Sequence, residues 1–308
     1  MKSLPAFYFP TTLICIDDNQ LVLDGHKSLF RDTFKCICYT NAKNAQIFFD
    51  SYEPPLDKIS FLDSLTEFEH ENFALQSAVQ FDVAKIIDLT KNNSRYNEVA
   101  VILSDYYMPG MNGLELCQTL GAYKFKKMLL TENDDYHIAK QALNSGTIDY
   151  FANKIDPTSE IEATVKNLAI NYFCDITAKF IYHLGNEGIS ALTDPNFIKH
   201  FLEILQLKNI AEYYLIDKNG SYLLIAANKQ EYILIVHNDR SLDEFIDLIS
   251  EYNILDVTLK GLNHRKIIPF WGIQKGIMDI NLSAINHYLY PAYTIKGKQA
   301  YFLHLLEF

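Results

Sequence analysis

The chain has 308 residues, of which 49% are hydrophobic and 21% charged, and its formal net charge is −11. That length suits two domains of ordinary size, and that composition excludes a disordered polymer. The acidic balance disfavours non-specific nucleic-acid binding, which rests on phosphate neutralisation, and no apolar run approaches the ~18 residues of a membrane span.

Leu4 to Ile16 is mildly apolar, but it holds Pro5 and Pro10 and runs into Asp17-Asp18 with no small-residue cleavage site. It is therefore not read as a signal peptide, and a cytoplasmic location is expected. From there strands and helices alternate. Leu13–Ile16 predicts a strand, Leu21 to Phe34 a helix and Cys36–Tyr39 a second strand. Val99–Leu103 predicts a third, followed by helix Leu114–Leu120. Met128–Leu130 is the fourth, followed by helix His137–Asn144. Ile148–Phe151 is the fifth, and Ser159–Phe173 is a long amphipathic helix. Nearly all-apolar strands alternating with helices predict an α/β doubly wound parallel sheet of five strands.

One interval breaks the rhythm: 59 residues separate Tyr39 from Val99. Asn41–Tyr52 supplies the expected helix, ended by Pro54-Pro55. Residues 56–95 are then extra, and their apolar positions recur at helical spacing, which predicts an inserted helical pair. It either covers a sheet edge or offers a partner surface.

The domain boundary is expected at 173/174. Helices are predicted over Asp175–Leu184 and over Pro195–Leu207, the latter capped by Asp194. Strands follow at Glu212–Ile216, Tyr222–Ala226 and Tyr232–Val236, the first two joined by the hairpin signal Asp217-Lys218-Asn219-Gly220. Asp243–Tyr252 reads as a helix capped by Ser241. Tyr290–Ile295 and Gln299–Leu306 read as a hairpin about Lys296-Gly297. Residues 174–308 are therefore expected to be an α+β domain with an antiparallel sheet. Five cysteines (Cys15, Cys36, Cys38, Cys117, Cys174) are read as reduced thiols; Cys36 and Cys38 share one strand face.

The polar residues at the strand ends carry the chemistry. Asp17 and Asp18 end strand one, Asp105 ends strand three, Thr131 ends strand four and Lys154 ends strand five. In a doubly wound sheet of order 2-1-3-4-5, ligands bind outside the carboxyl ends of the strands, between strands one and three. Three carboxylates, a hydroxyl and an ammonium therefore converge on one pocket. Clustered carboxylates repel unless a cation sits among them, and Mg²⁺ suits an oxygen-only site beside a phosphate. Asp105 is then a nucleophile for phosphoryl transfer, with Lys154 and Thr131 against the phosphoryl oxygens.

Ile16-Asp17-Asp18, Asp105 with Met108-Pro109-x-Met111-Asn112-Gly113, Leu130-Thr131 and Lys154 resemble the receiver domain of two-component response regulators. The resemblance covers roughly residues 11–173, interrupted by the insertion. It implies a domain, residues 1–173, that takes a phosphoryl group on Asp105 from a sensor histidine kinase or phosphotransfer protein. It also implies Mg²⁺ on Asp17, Asp18 and Asp105, with the Tyr106 or Tyr107 carbonyl as a further ligand and Tyr107 favoured. Thr131 and Phe151 resemble the switch pair, residues 139–153 are the expected switching surface, where phosphorylation alters dimerisation or output docking, and a phosphorylation-dependent homodimer is expected. Two departures stand out: Ile155 replaces the proline usual after the lysine, and Glu132 replaces a small residue after the threonine. More narrowly, the inserted receiver and an output without a helix-turn-helix are similar to the quorum-sensing regulators of Legionella, the Lqs type.

The output activity stays open. A protein-interaction or ligand-sensing module fits the acidic charge: 12 basic and 15 acidic residues from Asp175 on, net −3. A nucleic-acid-binding module would use the densest basic cluster, Lys260, His264, Arg265 and Lys266. An enzyme is the third reading, but no catalytic motif is found, and the chain is expected not to be an enzyme.

Overall fold

The computed structural model describes residues 3–59, 62–64, 79–81, 83–132, 136–186, 191–250, 255–273 and 282–308. These form two compact units, one of residues 9–60 and 92–176, the other of 1–8, 61–91 and 177–308. A single cut at 173 therefore does not describe the chain.

β1 (Phe7–Tyr8) joins the sheet of the second unit. The first unit then opens with β2 (Thr12–Ile16), α1 (Gln20–Phe30), β3 (Lys35–Tyr39) and α2 (Ala42–Asp50). β4 (Leu62–Ser64), β5 (Val79–Phe81) and α3 (Val83–Lys91) follow in the second unit. β6 (Val99–Asp105), α4 (Gly113–Thr119), β7 (Lys126–Thr131), α5 (Tyr136–Asn144), β8 (Tyr150–Asn153) and α6 (Thr158–Asn186) complete the alternation. The sheet order is β3-β2-β6-β7-β8 with every pairing parallel. Every residue of β2 and β6 is buried, whereas edge strands β3 and β8 are mostly half-buried. Continuous apolar runs belong to strands covered on both faces, which is why the central strands were the clearest in the sequence.

Three expected elements differ. The two helices proposed around Cys174 are one, α6; no glycine or proline lies between Thr158 and Gly185 to stop it. Of the inserted helical pair, the described residues show one helix, α3, preceded by the antiparallel ladder β4–β5. Residues 65–78, where the other half of that expectation falls, lie outside the described residues. The third difference is the strand predicted over 290–295, which is two strands that pair with different partners (below).

Glu98, at the entry to β6, is buried to 1% exposure. Its carboxylate accepts the Tyr172 hydroxyl from α6 and, at 2.9 Å, the Leu56 amide from the turn Pro55–Lys58. Burial raises its pKa to about 6 despite both bonds.

The second unit adds α7 (Pro195–Leu207), β9 (Ile210–Leu215), β10 (Tyr222–Ala226), β11 (Glu231–Asn238), α8 (Asp239–Ser250), α9 (Asp256–Asn263), β12 (Ile267–Pro269), β13 (Leu289–Pro291), β14 (Tyr293–Lys296) and β15 (Ala300–Glu307). Its antiparallel six-stranded sheet has the order β1-β9-β10-β11-β15-β14, and β12 pairs with β13 separately. The run 290–295 thus divides after Pro291, and only its second part forms the hairpin with β15. Between β9 and β10, Asp217 Oδ1 accepts the amides of Asn219, Gly220 and Ser221, and Gly220 takes φ +101°. Asp194 caps α7 as its spacing suggested, and also accepts the Lys298 amide and the Tyr301 hydroxyl. Helix α8 starts earlier than expected: Asn238 and Ser241 bond each other's amides, so Asn238 is the capping side chain. Trp271 stacks on Phe245 at 5.8 Å within the core that Ile249 and Leu262 share.

The pH dependence of Glu98 has a definite sign. Its folded pKa lies above the ordinary 4.5, so its contribution to stability is fully present below that value and lost as pH rises through about 6. Chemical denaturation at pH 4.5 and pH 7.5 should show wild type losing on the order of 2 kcal/mol relative to Glu98→Gln. A difference between the two proteins that does not change with pH would contradict this.

Candidate functional site

The carboxyl ends of β2, β6, β7 and β8 bring Asp17, Asp18, Asp105, Thr131 and Lys154 together, each on the residue that ends or follows a strand. One carboxylate oxygen from each of Asp17, Asp18 and Asp105 lies within 4.8 Å of the others. Asp17 and Asp105 are buried, at 1% and 3% exposure, and Asp18 is exposed. Lys154 Nζ stands between the buried pair, 2.8 Å from Asp105 Oδ2 and 3.2 Å from Asp17 Oδ2. Burial raises the Asp105 pKa, and Lys154 opposes this. Burial works to lower that of Lys154, but Asp105 and then Asp17 outweigh it, so the ammonium is held more firmly protonated than usual.

Local capping fixes these side chains. The Asn19 amide donates to Asp17 Oδ1 at 2.9 Å while the Asn19 side chain caps α1. After Asp105, the Tyr106 amide bonds Leu130 O and the Tyr106 carbonyl accepts the Gly113 amide at 3.0 Å. Asn112 and Glu115 close a reciprocal capping box on α4. Gly113 is obligatory: a Cβ there would lie 2.0 Å from Asp105 O and 2.7 Å from Ser104 Oγ. After β8, the Lys154 amide bonds Thr131 O, and Asn153 and Asp156 bond across the turn. No peptide is cis among the described residues, that of Lys154–Ile155 included.

The donor set is oxygen-only, with one exposed and two buried carboxylates, and so it suits a hard divalent cation such as Mg²⁺. With the Tyr106 carbonyl engaged by Gly113, Tyr107 is the neighbouring backbone oxygen to consider.

Thr131 is buried and Phe151 half-buried; Tyr136 meets the Phe151 ring edge-on at 5.4 Å. A pocket of about 520 Å³ opens beside them, lined also by Glu132, Asn153 and Ile155. Within the basic cluster, Arg265 bonds Asp239 at 2.9 Å and Asp243 at 2.6 Å, His264 Nδ1 lies 2.7 Å from Lys260 O, and Lys260 and Lys266 are exposed. His26 on α1 is a residue that sequence reasoning missed: its Nδ1 is buried without a hydrogen bond. Burial lowers its pKa, and the charges of Asp17 and Lys154 act on it in opposite senses. It would have passed for a core position of an amphipathic helix.

Gly113→Ala should destabilise the first unit by about 1–3 kcal/mol, since backbone or Asp105 must move. Gly25→Ala, inside α1 with nothing within 4 Å of the added carbon, should be neutral or stabilising by up to about 1 kcal/mol. Thermal unfolding of both variants checks the contrast, and equal effects would refute the close approach.

Residues 60–166 match the family model described as the response regulator receiver domain. That span includes Asp105, Thr131, Phe151 and Lys154 and begins after Asp17 and Asp18. The heme response regulator HssR of Staphylococcus haemolyticus is 25% identical over 173 residues, 55% of this chain and 70% of that protein. The structure of the Legionella pneumophila response regulator LqsR aligns with 100% of this chain and 90% of its own, at TM-score 0.80 and 25% identity. The parallel sheet, its strand order and these matches lead to one statement of family: the chain carries a response regulator receiver domain.

Proposed function

We propose that this receiver accepts a phosphoryl group on Asp105 and thereby regulates its output module. The observation that carries the reading is the placement of Lys154 Nζ against Asp105 Oδ2 within a carboxylate cluster. A histidine kinase or phosphotransfer protein is the partner that a receiver domain implies. An Asp105 carboxylate oxygen attacks the phosphorus of a phosphohistidine. The new P–O bond forms as the P–N bond breaks, and the imidazole leaves with its electron pair and takes up a proton.

Mg²⁺ held by Asp17, Asp18, Asp105 and the Tyr107 carbonyl would supply positive charge to the phosphoryl oxygens. Lys154 neutralises charge from the other side, and the Thr131 hydroxyl donates a hydrogen bond to one of those oxygens. Thr131 and Phe151 then act as a switch pair, with Tyr136 against the Phe151 ring setting what the ring must leave to turn inward.

Beyond them lies the surface of α5 and β8, where Tyr136, Ile138, Leu143 and Tyr150 are each 37–54% exposed. That apolar set supports a phosphorylation-dependent homodimer through this face. The output is read as a protein-interaction or ligand-sensing module. The pairing of Arg265 with two aspartates weakens the nucleic-acid reading, because it neutralises the centre of the basic cluster. No described helix is long and apolar enough to cross a membrane, which supports the cytoplasmic reading. The resemblance to the Lqs type supports a place in quorum sensing.

Incubation with acetyl phosphate and Mg²⁺, followed by intact-mass analysis, should add one phosphoryl group per chain. Asp105→Asn should abolish the gain, and Lys154→Ala should reduce it at least tenfold. Unchanged mass of wild type, or equal labelling of Asp105→Asn, would overturn the reading. If the dimer reading holds, beryllofluoride with Mg²⁺ should raise the solution mass of wild type and leave Asp105→Asn unchanged.

A further inference from the structure

Three thiols of the receiver crowd onto one face of its sheet. In the parallel pairing of β2 with β3, Cys15 stands opposite Cys38 and Leu13 opposite Cys36. Alternation along each strand puts Cys15, Cys36 and Cys38 on the same side. Interaction with Cys36 and Cys38, together with burial, pushes the Cys15 pKa well above that of an ordinary thiol. Cys15 is fully buried, but Cys36 and Cys38 are partly exposed, because β3 is an edge strand. Helix α1 covers that face, with the Leu23 carbonyl 4.0 Å from Cys38 Sγ.

We propose that Cys15 and Cys38 are a peroxide-sensitive pair that closes to a disulfide across β2 and β3. Directly paired residues of neighbouring strands lie about 4.8 Å apart, inside the ~4.4–6.8 Å span that a disulfide bridges. Cys36 is diagonal to Cys15, about 8 Å away by the same strand geometry, and is too far to be bridged. Cys38 is the attacking sulfur because it is partly exposed. The hydrogen bond from Cys15, helped by the Lys27 cation and opposed by burial, holds its pKa below that of an ordinary thiol.

The chemistry balances with hydrogen peroxide as the oxidant. The Cys38 thiolate attacks one peroxide oxygen, the O–O bond breaks, and the departing hydroxide is protonated to water. The Cys15 sulfur then attacks the Cys38 sulfenic sulfur. An S–S bond forms, the S–O bond breaks, and the hydroxyl leaves as water with the Cys15 proton. Two electrons pass from the thiol pair to the peroxide. Cys15 lies two residues before Asp17 on the same strand, so the bond would close next to the carboxylate cluster.

The test uses the reduced full-length chain, treated with hydrogen peroxide, blocked with N-ethylmaleimide and mapped by peptide mass spectrometry. Wild type, with five cysteines, should lose two thiols to an intramolecular Cys15–Cys38 link that dithiothreitol reverses. Cys36→Ser should still form it and Cys38→Ser should not. Cys15→Ala should leave Cys38 as a sulfenic acid that dimedone traps. Five free thiols after treatment, a link through Cys36, or only intermolecular bonds would overturn the proposal. The wild-type map decides this even if the buried Cys15→Ala variant fails to fold. Because the readout is thiol chemistry, it is independent of phosphoryl transfer at Asp105.

Discussion

Everything in the receiver turns on an unbalanced charge. Two buried carboxylates, Asp17 and Asp105, share one ammonium, Lys154, with Asp18 at the rim. Like charges held this close in a poorly solvated place oppose folding. The fold tolerates them because the backbone around each is independently braced. Asn19 holds Asp17 while capping α1, the Asn112–Glu115 box holds the loop after Asp105, and Asn153 with Asp156 holds the turn that presents Lys154. Gly113 lets α4 begin against the Asp105 carbonyl where any side chain would collide. The residual negative charge suits a cation, and the phosphoryl transfer proposed for Asp105 would draw on one there.

The second unit solves a different problem, that of burying tyrosines. Tyr214, Tyr222 and Tyr301 are almost wholly inside, and each hydroxyl finds an oxygen: Glu212 at 2.6 Å, Pro5 O at 2.9 Å and Asp194 at 3.1 Å. Large rings supply apolar area, and their polar tips select which loops sit above them. Asp194 gathers the start of α7, the β14–β15 turn and Tyr301 onto one carboxylate, which is more than a helix cap.

How far the sequence disclosed this depends on whether the determining contact was local. β2, β6 and β7 were legible because strands covered on both faces must be continuously apolar, and the pocket was legible because its members close those strands. Asp194 and the Asp217 turn were legible because capping acts within a few residues. The misses were non-local. β1 is two residues long and exists by pairing with β9. The ladder β4–β5 joins segments whose apolar spacing also fits a helix. Arg265 reads as part of a basic cluster until Asp239 and Asp243, more than twenty positions earlier, fold onto it. The continuity of α6 was a different miss, since nothing in Phe173-Cys174-Asp175 breaks a helix.

The charge imbalance can be measured without any phosphoryl donor. Calorimetric titration of the full chain with Mg²⁺ should show one saturable site, lost in Asp18→Asn and in Asp105→Asn and tightened in Lys154→Met, which removes the competing ammonium. A wild-type chain that shows no saturable binding, or an Asp18→Asn variant that binds as wild type does, would contradict the account at its base.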